Sequence, residues 1–325
     1  MRARRAHDGR GVDLTVALGP LVLNNPVIAA AGTFGHGDEV AGLCDPTGLG
    51  AITVKSLAAY PWPGNAAPRV CPAPGGGMLN SVGLAGPGVE RWIAEDLPRL
   101  HERGARIIVS VWGRTVEEFA AAAAPLRGLT GDVIAVEVNV SCPNLEDRER
   151  MFAHSPAMTA AATSAVREAL TSPGASDDAL PVFAKLSPNT SDLVEVAAAA
   201  LDAGATGLTL INTVLGLVID AESRRPALGA GGGGLSGPPV KPVALRAVHE
   251  VARAHPGTPI IGTGGVTTGL DAIEMLLAGA SAVGVGTATF AEPRAALRIV
   301  DEVAAWCARH GVDHVSELIG ALEGQ

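Results

Sequence analysis

The chain has 325 residues, 47% of them hydrophobic but only 3% aromatic, and a formal net charge of -9. It is long enough to bury a full core, and that core has to be aliphatic. The acidic balance argues against nucleic-acid binding, which needs clustered Lys and Arg to neutralise phosphates.

Four cysteines, Cys44, Cys71, Cys142 and Cys307, are widely spaced, with no CxxC pair. No metal site or iron–sulfur cluster is therefore expected in this chain, and no disulfide framework. Free thiols in a reducing cytoplasm are the default. The opening "MRARRAHDGR" is basic but has no apolar run behind it. It does not read as a secretory signal, and residues 1–12 read as a flexible leader. No stretch of 18 uninterrupted apolar residues occurs, so no membrane span is expected.

In chain order, "DLTVALG" and "LVLNNPV" flank Gly19-Pro20 and predict a hairpin. Eight apolar runs follow: 27–32, 51–56, 106–113, 133–140, 181–187, 207–213, 259–265 and 282–289. Helical segments rich in Ala and Leu lie between them, most clearly "SDLVEVAAAALDAG", "KPVALRAVHEVARAH", "GLDAIEMLLAG" and "EPRAALRIVDEVAAWCARHG". Near-continuous apolar strands that alternate with helices predict an α/β fold, a parallel (β/α)8 TIM barrel. A doubly wound open sheet is the alternative, but it would carry its glycine-rich phosphate signal early. Here "GTGGV" and "GVGTAT" come at the ends of the seventh and eighth strands, where such barrels bind phosphate. The whole chain, 1–325, reads as one domain. Two long Pro- and Gly-rich loops, 57–90 and 214–239, follow strand ends and are long enough to suggest a role at the active face.

The strand ends carry the chemistry. The second ends in Lys55-Ser56, and the fourth in Asn139 followed by Ser141-Cys142-Pro143-Asn144. The fifth carries Lys185, the sixth ends in Asn212-Thr213, and the last two end in Gly264-Gly265 and Gly286-Thr287. No His and no carboxylate pair stands among these ends, which weighs against triad or paired-acid hydrolases. Amides offer both a donor and an acceptor and so match imide edges, while lysines supply positive charge. The set suits a planar, anionic, carbonyl-rich ligand. Singly, Lys55 or Lys185 could be a surface residue, Asn139 a turn residue and each glycine pair a turn. Cys142 alone could be an inert thiol. Their convergence on one mouth favours the functional interpretation. Cys44, Cys71 and Cys307 read as structural, and the histidines as solvated or packing residues.

Together the segments "NPVIAAAGTFG", "VKSL", "MLNSVGLAGPGVE", "VNVSCPN", "AKLSPNTSD", "LINTVLGLVID", "GGLSGPPVKP" and "GTGGVTTGLDA" resemble dihydroorotate dehydrogenase, the flavin enzyme of pyrimidine synthesis. The cysteine of "SCPN" and the run "NTVLGLVID" are most similar to the catalytic chain of the two-subunit, NAD-linked class 1 type (class 1B). The resemblance implies FMN-dependent oxidation of (S)-dihydroorotate to orotate in de novo UMP synthesis. It implies one FMN per chain, with FAD and a 2Fe–2S cluster only in a separate electron-transfer subunit, and a homodimeric core.

By the same resemblance, Cys142 is the general base. Lys55, Asn80, Gly83, Leu84, Asn139, Asn144, Asn212 and Thr213 hold the substrate. Ala31, Gly32, Lys55, Ser56, Asn139, Lys185, Ile211, Gly237, Gly264, Gly265, Gly286 and Thr287 hold FMN. The segment after "SCPN", "LEDRERMFAHSP", is longer and more charged than is common in the family. Another flavin-dependent dihydropyrimidine oxidoreductase is the nearest competitor, but that family typically has His where Asn144 stands. A tRNA-directed dihydrouridine synthase fits the acidic charge poorly. A non-redox barrel for a phosphorylated metabolite would leave Lys55, Cys142 and the amides unexplained.

Overall fold

The computed structural model describes residues 11–141, 152–171 and 179–324. The proposed leader lies almost wholly outside the described residues, as do Cys142 and Asn144.

All eight expected strands form. They are β1 (Val27–Ala29), β2 (Ala51–Thr53), β3 (Ile107–Val111), β4 (Val133–Asn139), β5 (Val182–Lys185), β6 (Gly207–Leu210), β7 (Ile260–Thr263) and β8 (Ala282–Val285). Each pairs in parallel with its neighbour in sequence, and β8 closes on β1 through Val283 opposite Val27. The strands are shorter than the apolar runs because each run continues into the loop at the barrel mouth. There the backbone turns away, and the polar residues follow.

Helices connect the strands on the outside: Val116–Ala123 after β3, Pro156–Leu170 after β4, Leu193–Asp202 after β5, Lys241–Ala254 after β6, and Gly269–Ala278 after β7. After β8 the chain makes a short helix, Ala288–Ala291. It ends before Pro293, and the helix expected from residue 292 onward follows as a single helix, Ala295–His310. Pro293 has no amide hydrogen to continue the ladder.

The predicted hairpin forms, Val16–Leu18 against Leu21–Leu23. Its turn approaches Thr206 and Pro259, which precede β6 and β7, so it closes the end of the barrel opposite the mouth. Val16, Leu18 and Leu23 are fully buried there.

The two long loops contain strands of their own. Val214–Gly216, Gly233–Ser236, Gly77–Asn80 and Val70–Ala73 form one antiparallel sheet in that order. Gly234 stands opposite Asn80, and Leu235 opposite Leu79. Neither segment has a long alternating pattern of its own. The pairing is made between loops far apart in sequence, so local periodicity could not show it.

Packing is tight where strands approach closely. A Cβ on Gly207 of β6 would lie 2.4 Å from the Pro259 carbonyl oxygen and 2.7 Å from the Phe183 ring. Phe183 is fully buried and cannot move aside freely. Gly207→Ala should therefore cost about 1–3 kcal/mol by overpacking. This is read as a lower urea midpoint at unchanged m-value; an unchanged midpoint would show that the strand pair has room to spare.

Candidate active site

Parallel strands deliver all their C-terminal ends to one face. At that face a cleft opens with an empty volume of about 1120 Å3, its open mouth included. Every site residue expected from the sequence that lies among the described residues lines this cleft. From β1 come Ala31 and Gly32, from β2 Lys55 and Ser56, from β4 Asn139, and from β5 Lys185. Ile211, Asn212 and Thr213 follow β6, and Gly264, Gly265, Gly286 and Thr287 follow β7 and β8. The loop sheet adds Asn80, Gly83, Leu84 and Gly237. Cys142 and Asn144 are outside the described residues, but Ser141 before them is fully buried.

A hydrogen-bond chain ties the strand ends together. Asn139 Nδ2 donates to Ser56 Oγ at 2.9 Å, and Ser141 Oγ donates to Asn139 Oδ1 at 3.0 Å. Asn212 Nδ2 donates to Ser141 Oγ at 3.0 Å, and its own Oδ1 accepts the Thr213 amide at 2.8 Å. The Asn139 and Asn212 amides therefore already hold the base of the segment that leads to Cys142. Asn139 Oδ1 also accepts the Ser141 amide at 3.3 Å, and Asn212 Nδ2 also donates to the Ser141 carbonyl at 3.1 Å, so one Asn139 Nδ2 hydrogen and one Asn212 Oδ1 lone pair remain for a ligand.

The loop "NSVGL" is held just as firmly. The Gly83 carbonyl accepts the Trp62 indole N–H at 3.0 Å, and Gly83 has φ +70. A Cβ there would lie 2.4 Å from Asn65 Oδ1, so glycine is required. Leu84 beside it also adopts a positive φ, 61°, although it is buried.

The glycine ends form a cradle. A Cβ on Gly265 would lie 2.5 Å from Lys241 Cβ, whereas one on Gly286 would meet no protein atom nearer than 3.7 Å. Protein packing therefore forces the first to be glycine but leaves open space beside the second. The amides of Gly264, Gly265, Gly286 and Thr287 donate to no acceptor among the described residues. Thr263, which also lines the cleft, has a buried hydroxyl with no partner among them. Unpaired amides converging on a small-residue hollow suit a phosphate.

Behind the cradle, Asp271 accepts from the amides and hydroxyls of both Thr267 and Thr268, at 2.8–2.9 Å, and from Lys241 Nζ at 2.6 Å. Burial pushes the Asp271 carboxyl up, but the Lys241 ammonium and the threonine donors outweigh it and bring it down to about 2.

Sequence reading missed Glu137, which is 2% exposed on β4. A single acidic letter inside "VIAVEVNV" was the available signal. His36, read from the sequence as a solvated or packing residue, is partly buried. Its Nε2 has no partner among the described residues, and burial pushes its pKa down. Among the described residues no cluster of metal-ligating side chains occurs, and no helix is long and apolar enough to cross a membrane.

The fold and cleft define a (β/α)8 barrel whose C-terminal mouth carries a cleft lined by lysines, amides and glycine-rich strand ends. Comparison with known proteins makes this specific. The family profile for dihydroorotate dehydrogenase matches residues 13–306. The dihydroorotate dehydrogenase B (NAD(+)) catalytic subunit of Pelobacter propionicus is 46% identical over 311 residues, covering 96% of this chain and 99% of the relative. The subunit of the same name from Geobacter sulfurreducens is 45% identical over 311 residues, covering 96% of this chain and 98% of its own. A crystal structure of DHODH from Eimeria tenella in complex with ferulenol superposes with a TM-score of 0.74 at 25% identity, covering 95% of this chain and 88% of that one. The chain belongs to the dihydroorotate dehydrogenase family, which oxidises dihydroorotate in pyrimidine biosynthesis.

Asp271 also makes stability depend on pH. Its folded pKa lies below the unfolded value of about 3.9, so its contribution is complete above about pH 5 and is lost as pH falls toward 2. A shift of roughly 2 units corresponds to about 2–3 kcal/mol. Asp271→Asn should lower the melting temperature at pH 7 and flatten its fall between pH 5 and 3. Parallel melting curves for the two proteins would remove Asp271 from the account.

Proposed function

We propose that this chain oxidises (S)-dihydroorotate to orotate on a bound FMN, as the catalytic half of an NAD-linked enzyme. The observation that carries the proposal is the cleft itself: two lysines, a frame of amides and a cradle of unpaired backbone N–H groups on one barrel mouth. These groups fit FMN end to end. The cradle at Gly264, Gly265, Gly286 and Thr287 suits its phosphate, and the small residues Ala31, Gly32 and Gly237 leave room for a flat ring. Ser56, Asn139 and Ile211 line the same space, and Lys185 would face the carbonyl edge of the ring. FMN, when bound, supplies the two-electron acceptor for the hydride at substrate C6.

The chain's own residues do the remaining work. Asn80, Asn139, Asn144, Asn212 and Thr213, with the backbone at Gly83 and Leu84, orient the pyrimidine and its carboxylate. Lys55 would lie between substrate and flavin and offset negative charge there. Cys142, as thiolate, takes the proton from C5 as the C6–H bond breaks, so the ring gains its double bond and Sγ keeps the proton. Lys185 would hold positive charge beside the ring and so stabilise the negative charge of its reduced form.

The named relatives are catalytic subunits of an NAD(+) enzyme. On that basis we propose that electrons leave this chain for a partner subunit carrying FAD and a 2Fe–2S cluster. We place two catalytic chains at the core of the assembly and the enzyme in the cytoplasm. The chain works as a single domain, with residues 1–12 as a leader.

The test is anaerobic. FMN-loaded protein mixed with dihydroorotate in a stopped-flow instrument should lose its flavin absorbance within one turnover. Cys142→Ser should keep its FMN but bleach at least about 100-fold more slowly at pH 7, since a hydroxyl is the poorer base. Bleaching at the wild-type rate in that variant would reject Cys142 as the base. A wild-type protein that stays yellow would reject dihydroorotate as the substrate.

A further inference from the structure

The interior layers of a (β/α)8 barrel are normally filled by branched apolar side chains. On β4, Glu137 and Asn139 are two residues apart and so share a face. Asn139 lines the cleft; Glu137 does not and lies beneath it. Burying a carboxylate is costly unless it is paired and hydrogen-bonded. Glu137 has both kinds of partner. Lys185 Nζ stands 3.6 Å from Oε1, and Ser110 Oγ donates to the same oxygen at 3.0 Å. Ser110 Oγ is itself 2.9 Å from Ser56 Oγ, which accepts from Asn139.

The geometry is asymmetric. The serine, not the lysine, makes the hydrogen bond to the carboxylate. At 3.6 Å the lysine is an ion-pair partner beyond hydrogen-bond length, and its Nζ donates to no other acceptor among the described residues. The ammonium donors are thereby left for the cleft, while the carboxylate is held back below. An apolar residue would fill the same layer at lower cost, so the retained charge calls for an account beyond packing.

We propose that Glu137 is a positioning residue for Lys185 and, through it, sets the reduction potential of the bound flavin. The inference rests on the FMN assignment above. The carboxylate offsets part of the lysine's charge in a site with little water to screen it, and so limits how strongly the lysine favours the anionic reduced ring. Ser110 fixes how much is offset by fixing the distance. The devices are separable: one residue carries the charge, another sets its reach.

The experiment is a spectroelectrochemical titration of FMN-loaded protein. Glu137→Gln keeps the shape and removes the charge. It should raise the midpoint potential by at least about 30 mV, a tenfold change in the two-electron equilibrium. Ser110→Ala keeps the charge and releases the carboxylate toward Lys185, and should move the potential the other way. A merely structural role would lower the melting temperature of Glu137→Gln and leave the potential in place. No shift, or a negative shift, in Glu137→Gln overturns the proposal. If that variant does not fold, an unchanged potential in Ser110→Ala overturns it instead. A wild-type chain that binds no FMN would defeat the functional assignment, which is a different failure from a bound flavin whose potential ignores Glu137.

Discussion

The site depends on one buried ionic contact, the approach of Lys185 to Glu137 inside the barrel. Two charges taken out of water are tolerated only because a polar network surrounds them. Ser110, Ser56, Asn139, Ser141 and Asn212 carry that network across β2, β3, β4 and the segment after β6. Each of these side chains is anchored by the next, so the cleft floor is rigid before any ligand arrives. Preorganised dipoles and charges of this kind need no rearrangement at the moment of reaction.

Two other structures complete the mouth around that floor. The four-stranded sheet brings Asn80 and Gly237 over the cleft from loops that are distant in sequence. The cradle closes the far side, and Asp271 and Lys241 brace it from behind by holding Thr267 and Thr268 and packing under Gly265. Floor, roof and cradle come from different parts of the chain, and only closure of the barrel makes them neighbours.

Much of this was legible in the sequence, for physical reasons. Parallel strands are apolar on both faces and stand out as uninterrupted runs, so all eight were found. Polar letters at the ends of those runs had to sit at one mouth, so Lys55, Asn139, Lys185, Asn212 and the glycine pairs could be named together. The loop sheet was not legible, because its partners are not local. Glu137 was missed because a lone acidic residue within a strand looks like an exception to the pattern until its lysine partner is placed. The full engagement of the Asn139 and Asn212 amides with Ser56 and Ser141 is likewise a tertiary fact. Cys142 lies outside the described residues, and its proposed role rests on its place after a strand end and on the family resemblance alone.

The central claim is that the glycine cradle and the lysine-lined cleft form one FMN site. Fluorescence titration of the apoprotein with FMN and with riboflavin tests it directly. The account predicts saturable quenching by FMN, with riboflavin at least about 100-fold weaker because it cannot use the phosphate cradle. Riboflavin binding as tightly as FMN would contradict the cradle, and no binding of either would contradict the site.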